Sequence, residues 1–148
     1  MNKQRTATFI GHNECYKVTD EQIKQEIINL IDLGVTNFIS GGQGNFDKKC
    51  GYLVHKLKKD YPQIKNILVI PYLTFKIYDK TIFDEIIYPD GFENLYFKAA
   101  IPERNKYLVD NSNYAICYIS HTFGGAFKTY TIAKSEKLNI INLGELKL

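Results

Sequence analysis

Four short runs rich in apolar and β-branched residues, each soon stopped by a turn-forming residue, constrain this chain more than anything else in its sequence. They fall at residues 6–10, 35–39, 67–70 and 115–119. Such runs are too short for helices, and with bulky side chains toward both faces they suit strands covered on both sides. The intervals between them carry the other period. Thr19 and Gln22 form a capping box, Ile23, Ile27, Leu30 and Ile31 follow at helical spacing, and Gly34 supplies a stop. Phe46, Cys50, Leu53, Val54, Leu57 and Tyr61 repeat in the same way as far as Pro62. A third helix is predicted over 103–110 with Pro102 in its first turn, where a missing N–H costs nothing. A fourth opens at Gly124-Gly125 and runs to about Lys137. Residues 85–88 read as a short edge strand, 139–141 as a last strand, and 72–84 as irregular or a short helix. Strands that alternate with helices in this order predict an α/β fold. The sheet is Rossmann-like, doubly wound and mostly parallel, with helices on both faces.

Composition narrows the function classes. With 148 residues, of which 45% are hydrophobic and 24% charged, the chain is long enough for one well-filled core and too apolar for disorder. A single domain over 1–148 is expected. A net charge of +3 lacks the excess of a dedicated nucleic-acid binder, so nucleic acid is not the expected partner. No apolar run approaches the length of a membrane span, which excludes the membrane and makes the cytoplasm the expected location. Cys15, Cys50 and Cys117 are odd in number, widely spaced and without a C-x-x-C pair. They predict reduced thiols, no metal and no resident cofactor.

In open parallel sheets ligands bind beyond the carboxyl ends of the strands, so the residues just after each strand are the candidates. These are Gly11, His12 and Glu14, then Ser40, Gly41, Gly42 and Gly44, then Pro71, and finally Gly124, Gly125 and Ala126 with Lys128 and Thr129. Two glycine-rich strand-to-helix turns let backbone N–H groups approach an anion at helix N-termini, which makes phosphate the natural guest. A Cβ at Gly42 or Gly125 is then expected to block binding before it disturbs folding. Neither turn has the G-x-G-x-x-G or Walker spacing. Asp47 stands in a helix first turn, suited either to a ribose hydroxyl or simply to the helix dipole. Arginine is scarce, with only Arg5 and Arg104 present. Arg104, beside Asn105, reads either as a clamp on phosphate or ribose, or as a surface residue paired with Glu103 or Asp110. As a clamp, its loss should weaken binding and leave stability nearly unchanged. His12 and His121 follow strands expected to be neighbours, and both can line the same cleft.

Four motifs in sequence resemble the SLOG superfamily, closest to its small YspA/YpsA-like bacterial members. They are Phe9-Ile10-Gly11-His12 with Glu14-Cys15; Phe38-Ile39-Ser40-Gly41-Gly42-Gln43-Gly44 with Asp47; Ile101 with Arg104-Asn105; and Gly124-Gly125-Ala126 with Lys128-Thr129 and Ala133. The resemblance implies a nucleotide-binding or sensor domain whose ligand is related to ADP-ribose or NAD, or is a nucleoside monophosphate. One branch of the superfamily, the LOG phosphoribohydrolases, implies an alternative: cleavage of a nucleotide N-glycosidic bond through an Arg-Lys pair and P-G-G-x-G-T-x-x-E. Here the pair is Arg104-Asn105, and Ile132 falls where the catalytic Glu is expected, so Arg104, Asp47 and Glu14 are the remaining catalytic candidates. The related DNA-processing proteins imply a second alternative, single-stranded DNA binding. A homo-oligomer is compatible with each reading.

Overall fold

The computed structural model describes residues 1–146. Its strands are β1 (Thr6–Gly11), β2 (Asn37–Ser40), β3 (Lys65–Val69), β4 (Glu85–Ile87), β5 (Tyr114–Tyr118) and β6 (Asn139–Asn142), and its helices are α1 (Asp20–Asp32), α2 (Asn45–Leu57), α3 (Phe97–Asp110) and α4 (Gly125–Ser135). All strand pairings are parallel, in the order β4-β3-β2-β1-β5-β6. The architecture is Rossmann-like α/β, as the alternating pattern predicts.

Alternation along the strands sends side chains to two cores. Ala7 and Phe9 of β1, Phe38 of β2, and Ile116 and Tyr118 of β5 meet Ile23, Ile27 and Leu30 of α1 and Phe46, Cys50 and Val54 of α2. On the opposite face Ile10, Ala115 and Cys117 meet Val109 of α3 and Tyr130 and Ala133 of α4. A third group, Ile39, Ile67 and Val69 against Leu108, completes that face. Fully burying side chains of this size contributes about 1.5–3 kcal/mol each, which is why both faces of the strands are apolar. The capping box of α1 forms as read: Gln22 N–H donates to Thr19 Oγ1 and Thr19 N–H to Gln22 Oε1.

Residues 70–84 carry the chain from β3 to the edge strand β4 with one short 3-10 turn, Lys80–Ile82. Asn66 anchors this stretch, its amide donating to the carbonyls of Gly51 and Ile82 while its backbone N–H donates to Asp84. One helix departs from its reading. α3 begins at Phe97, so Pro102 lies inside the helix rather than at its start. Lys98, Ala99 and Ala100 are strong helix formers and extend it backward. Pro102 itself is exposed, which leaves the carbonyl it cannot serve open to water. Arg104 therefore sits in the middle of α3 rather than in its first turn.

Candidate functional site

The strand order reverses between β1 and β5: the chain builds outward from β1 through β2 and β3 on one side, and from β5 to β6 on the other. Connections leaving the two central strands must diverge there, and the divergence opens a cleft at their carboxyl ends. The cleft measures about 670 Å³. Its walls are the loop after β1 (Gly11 to Glu14), the start of α2 (Gln43, Gly44, Asp47), one face of α3 (Ile101, Arg104, Asn105, Leu108) and the turn into α4 (His121 and Phe123 to Ala126, with Thr129).

Both helix N-termini at the cleft are made in the same way. The residue before α2 is Gly44 at φ 82°, ψ 165°, and the residue before α4 is Gly124 at φ 90°, ψ 175°. Residues with a Cβ scarcely reach this region, and neither glycine offers a capping side chain. At α2 the first N–H group finds a neighbour, Asn45 N–H donating to Asn13 Oδ1 at 2.9 Å, and in the turn before the helix Gln43 N–H donates to Asp47 at 3.3 Å. At α4 the leading N–H groups of Gly125, Ala126 and Phe127 donate to nothing among the described residues.

The glycines themselves serve two purposes. A Cβ at Gly11 would enter the ring of Phe46, one at Gly41 would lie 2.7 Å from Arg104 Cζ, and one at Gly42 would lie 2.6 Å from Leu68 Cδ1. These three are glycine because the core needs the space. Among the described residues, nothing lies within 4 Å of a Cβ at Gly124 or Gly125, so packing does not explain them. The expectation that Gly42 and Gly125 act alike is therefore corrected: a side chain at Gly42 strikes the core.

Arg104 follows neither of its sequence readings in full. It is 1% exposed, and Asp110, one of its supposed surface partners, pairs instead with Lys106 at 3.0 Å. Its Nη1 donates to the carbonyls of Gly41 (2.8 Å) and Val69 (3.1 Å), its Nη2 to Gln43 Oε1 (2.7 Å) and its Nε to Asn105 Oδ1 (3.0 Å). Four of its five N–H donors are thus spent holding the first glycine turn against β3 and α3. Beside it, burial pushes the Asp47 carboxyl up to about 7, against the opposing pull of Arg104 and the Gln43 N–H.

Three rings form a stack along the opposite wall. His12 and His121 lie parallel with centroids 3.6 Å apart, and Phe123 continues the stack 3.8 Å beyond His121. His12 is buried, and Tyr118 packs edge-on against it. Burial, then the neighbouring His121, lowers its pKa and favours the neutral ring. Among the described residues, His12 Nε2 and His121 Nδ1 are buried without hydrogen-bond partners. Phe123, at the outer end, is 69% exposed.

Among the residues singled out from sequence, Gly11, His12, Glu14, Gly44, Asp47, Arg104, Asn105, Gly124, Gly125, Ala126 and Thr129 all line the cleft. Ser40, Gly41, Gly42 and Pro71 are buried behind it, and Lys128 is exposed on α4 outside its lining. Ile132 packs against the core cluster beneath α4, on the face turned inward. Sequence reasoning missed Asn13, Gln43 and Phe123. Asn13 and Gln43 stand in the very turns it examined, and an aromatic residue immediately before Gly-Gly was an available signal for Phe123.

A sequence model of the YspA SLOG family matches residues 4–142. The chain belongs to the YspA SLOG family. A relative of this YspA SLOG chain, the uncharacterized SPbeta prophage-derived protein YoqJ of Bacillus subtilis (strain 168), is 26% identical over 145 residues, covering 79% of this chain and 83% of YoqJ. Among solved structures the fold is similar to DNA processing protein A of Helicobacter pylori, described by its single-stranded DNA binding mode, with a TM-score of 0.65 and 14% identity. It is also similar to DNA processing protein A of Streptococcus pneumoniae, with a TM-score of 0.66 and 19% identity. Each match covers 95% of this chain, which spans 65% and 50% of those two longer chains respectively. The same fold thus serves a protein that binds single-stranded DNA, and the expectation against nucleic acid, drawn from the mild net charge and the lack of a Lys/Arg cluster beside the glycine loops, is not supported. Among the described residues, no helix is long and apolar enough to cross a membrane.

Proposed function

We propose that this YspA SLOG chain binds a nucleotide-derived ligand in the cleft between β1 and β5, with a phosphate seated on the N-terminus of α4. The observation that carries the reading is the pair Gly124-Gly125: uncapped, open on the cleft side, and opening a helix whose first three N–H groups have no acceptors among the described residues. A helix N-terminus of this kind presents about half a positive charge and several donors to an anion. Arg104 supports the site from behind by fixing the opposite glycine turn.

The test is calorimetric titration with AMP, ADP-ribose and NAD, comparing wild type with Gly125→Val. Binding by the wild type and a loss of about tenfold or more in the variant, with an unchanged melting temperature, is expected. Equal affinity in the two proteins rejects the phosphate seat.

Single-stranded DNA is the second reading, favoured by the fold shared with DNA processing protein A. A backbone phosphate would use the same α4 terminus. Its mark is steep salt dependence together with tighter binding of an oligonucleotide than of its monomer.

A further inference from the structure

Resting on the phosphate seat proposed above, we propose that the outer face of Phe123 is a stacking platform for the nucleobase of the ligand. Single exposed apolar side chains are ordinary on protein surfaces and by themselves signify nothing. Phe123 differs in what stands behind it. Its ring lies at 19° to His121 with centroids 3.8 Å apart, and His121 lies at 14° to His12 at 3.6 Å, so three rings form one column rooted in the core. His12 is 6% exposed at the base of that column, while Phe123 at its top is 69% exposed. A column with a fixed inner end and a free outer face is preorganised for a fourth ring, and a platform already held in place binds without the cost of ordering it.

Position selects the kind of ring. Phe123 immediately precedes Gly124-Gly125, so a planar group on its face lies one residue from the uncapped start of α4. A ligand carrying both an aromatic base and a phosphate can use the two together. The stack accepts any base, because every base has a π-face, and so it sets a class of ligand rather than a single one. His12 Nε2 and His121 Nδ1, buried and unpartnered among the described residues, show that the column is not held by hydrogen bonds of its imidazoles at those atoms. Ring contact and packing hold it.

The experiment compares AMP, ribose 5-phosphate and an adenine deoxyoligonucleotide as probes, by titration calorimetry on the full chain. Wild type should bind AMP about tenfold more tightly than ribose 5-phosphate, the order of ratio that one aromatic stack supplies. Phe123→Ala should reduce AMP to the level of ribose 5-phosphate, while Phe123→Tyr should keep the preference. The chain has no tryptophan, so Phe123→Trp also installs a single reporter whose emission AMP should quench and ribose 5-phosphate should not. Tighter binding of the oligonucleotide than of AMP, lost in Phe123→Ala, places a nucleic-acid base on the platform; the reverse order, with the same loss, places a free nucleotide there. Equal binding of AMP and ribose 5-phosphate by wild type, or an AMP preference that survives Phe123→Ala, overturns the platform and leaves the phosphate seat standing. Failure of every probe to bind removes the seat and the platform together.

Discussion

Asp47 is the residue whose burial most plainly opposes its own ionisation. Its carboxyl is raised from 3.8 to about 7 by burial, even though Arg104 and the Gln43 N–H favour the ionised form. The sign of the linkage follows. Between those two values the folded chain holds a proton that the unfolded chain has released, so this group lowers stability as pH rises and exerts its full cost above about 7. Asp47→Asn keeps an acceptor for the Gln43 N–H and removes the charge. The variant should therefore be more stable than wild type at pH 8, by at most about 4 kcal/mol and with a correspondingly higher melting temperature, and gain little at pH 4.5. Thermal melts at the two pH values decide it, and a difference that does not change with pH would mean that the carboxylate is ionised throughout. A sequence shows only that Asp47 opens a helix. Whether the dipole, a ribose or burial governs its proton depends on Arg104, which arrives from another helix.

At the scale of elements, α2 and α4 have equivalent glycine N-caps but different dependence on them. The turn before α2 is locked from several sides: Asn13 caps it, Leu68 fills the space at Gly42, and Arg104 ties Gly41 and Gln43 to β3 and α3. Gly42 has φ 63°, so a side chain there adds backbone strain to the clash. Gly42→Val should lower the melting temperature sharply or prevent folding, whereas Gly125→Val should not. Equal effects of the two substitutions would refute the distinction between packing glycines and an open one. Arg104→Ala leaves two buried carbonyls unpaired and removes the guanidinium beside Asp47, a loss on the order of 3–5 kcal/mol. That corresponds to a fall of about 10 °C or more for a chain of this length. Arg104→Lys should restore little, because a single ammonium cannot reproduce the planar fork. A melting temperature within about 2 °C of wild type for Arg104→Ala would return Arg104 to the purely ligand-binding role that its place in the sequence suggests.

For the molecule as a whole, the order of strands places every candidate group at one edge and thereby limits the chemistry. Ile132, at the position where a hydrolytic Glu would fall, is packed into the core beneath α4. Cleavage at a ribose carbon needs a carboxylate near the developing cation, and among the described residues only Asp47 and Glu14 bring carboxylates to the cleft. Wild type should release no free base from AMP, GMP or CMP on prolonged incubation, as chromatography would show. Release abolished by Asp47→Asn would make the chain a hydrolase and Asp47 its carboxylate. Much of the architecture was legible because it is local. Short continuous apolar runs, a helical period near four, a capping box and breaks at glycine and proline are written within a few residues of one another, and they determine the strands at the centre of the sheet, the helices and the edge on which the loops collect. The start of α3 was misread because helix formers upstream outweighed the usual meaning of Pro102. What only the tertiary structure decided are relations between distant positions. Arg104 became a strut because two of its acceptors lie 61 and 63 residues away on the first glycine turn and a third, Val69, 35 residues away on β3. Gly42 belongs to the core because Leu68 of the adjacent strand stands over it. The His12, His121 and Phe123 column exists because β1 and β5 pair side by side, a consequence of where the winding reverses that no stretch of sequence contains by itself.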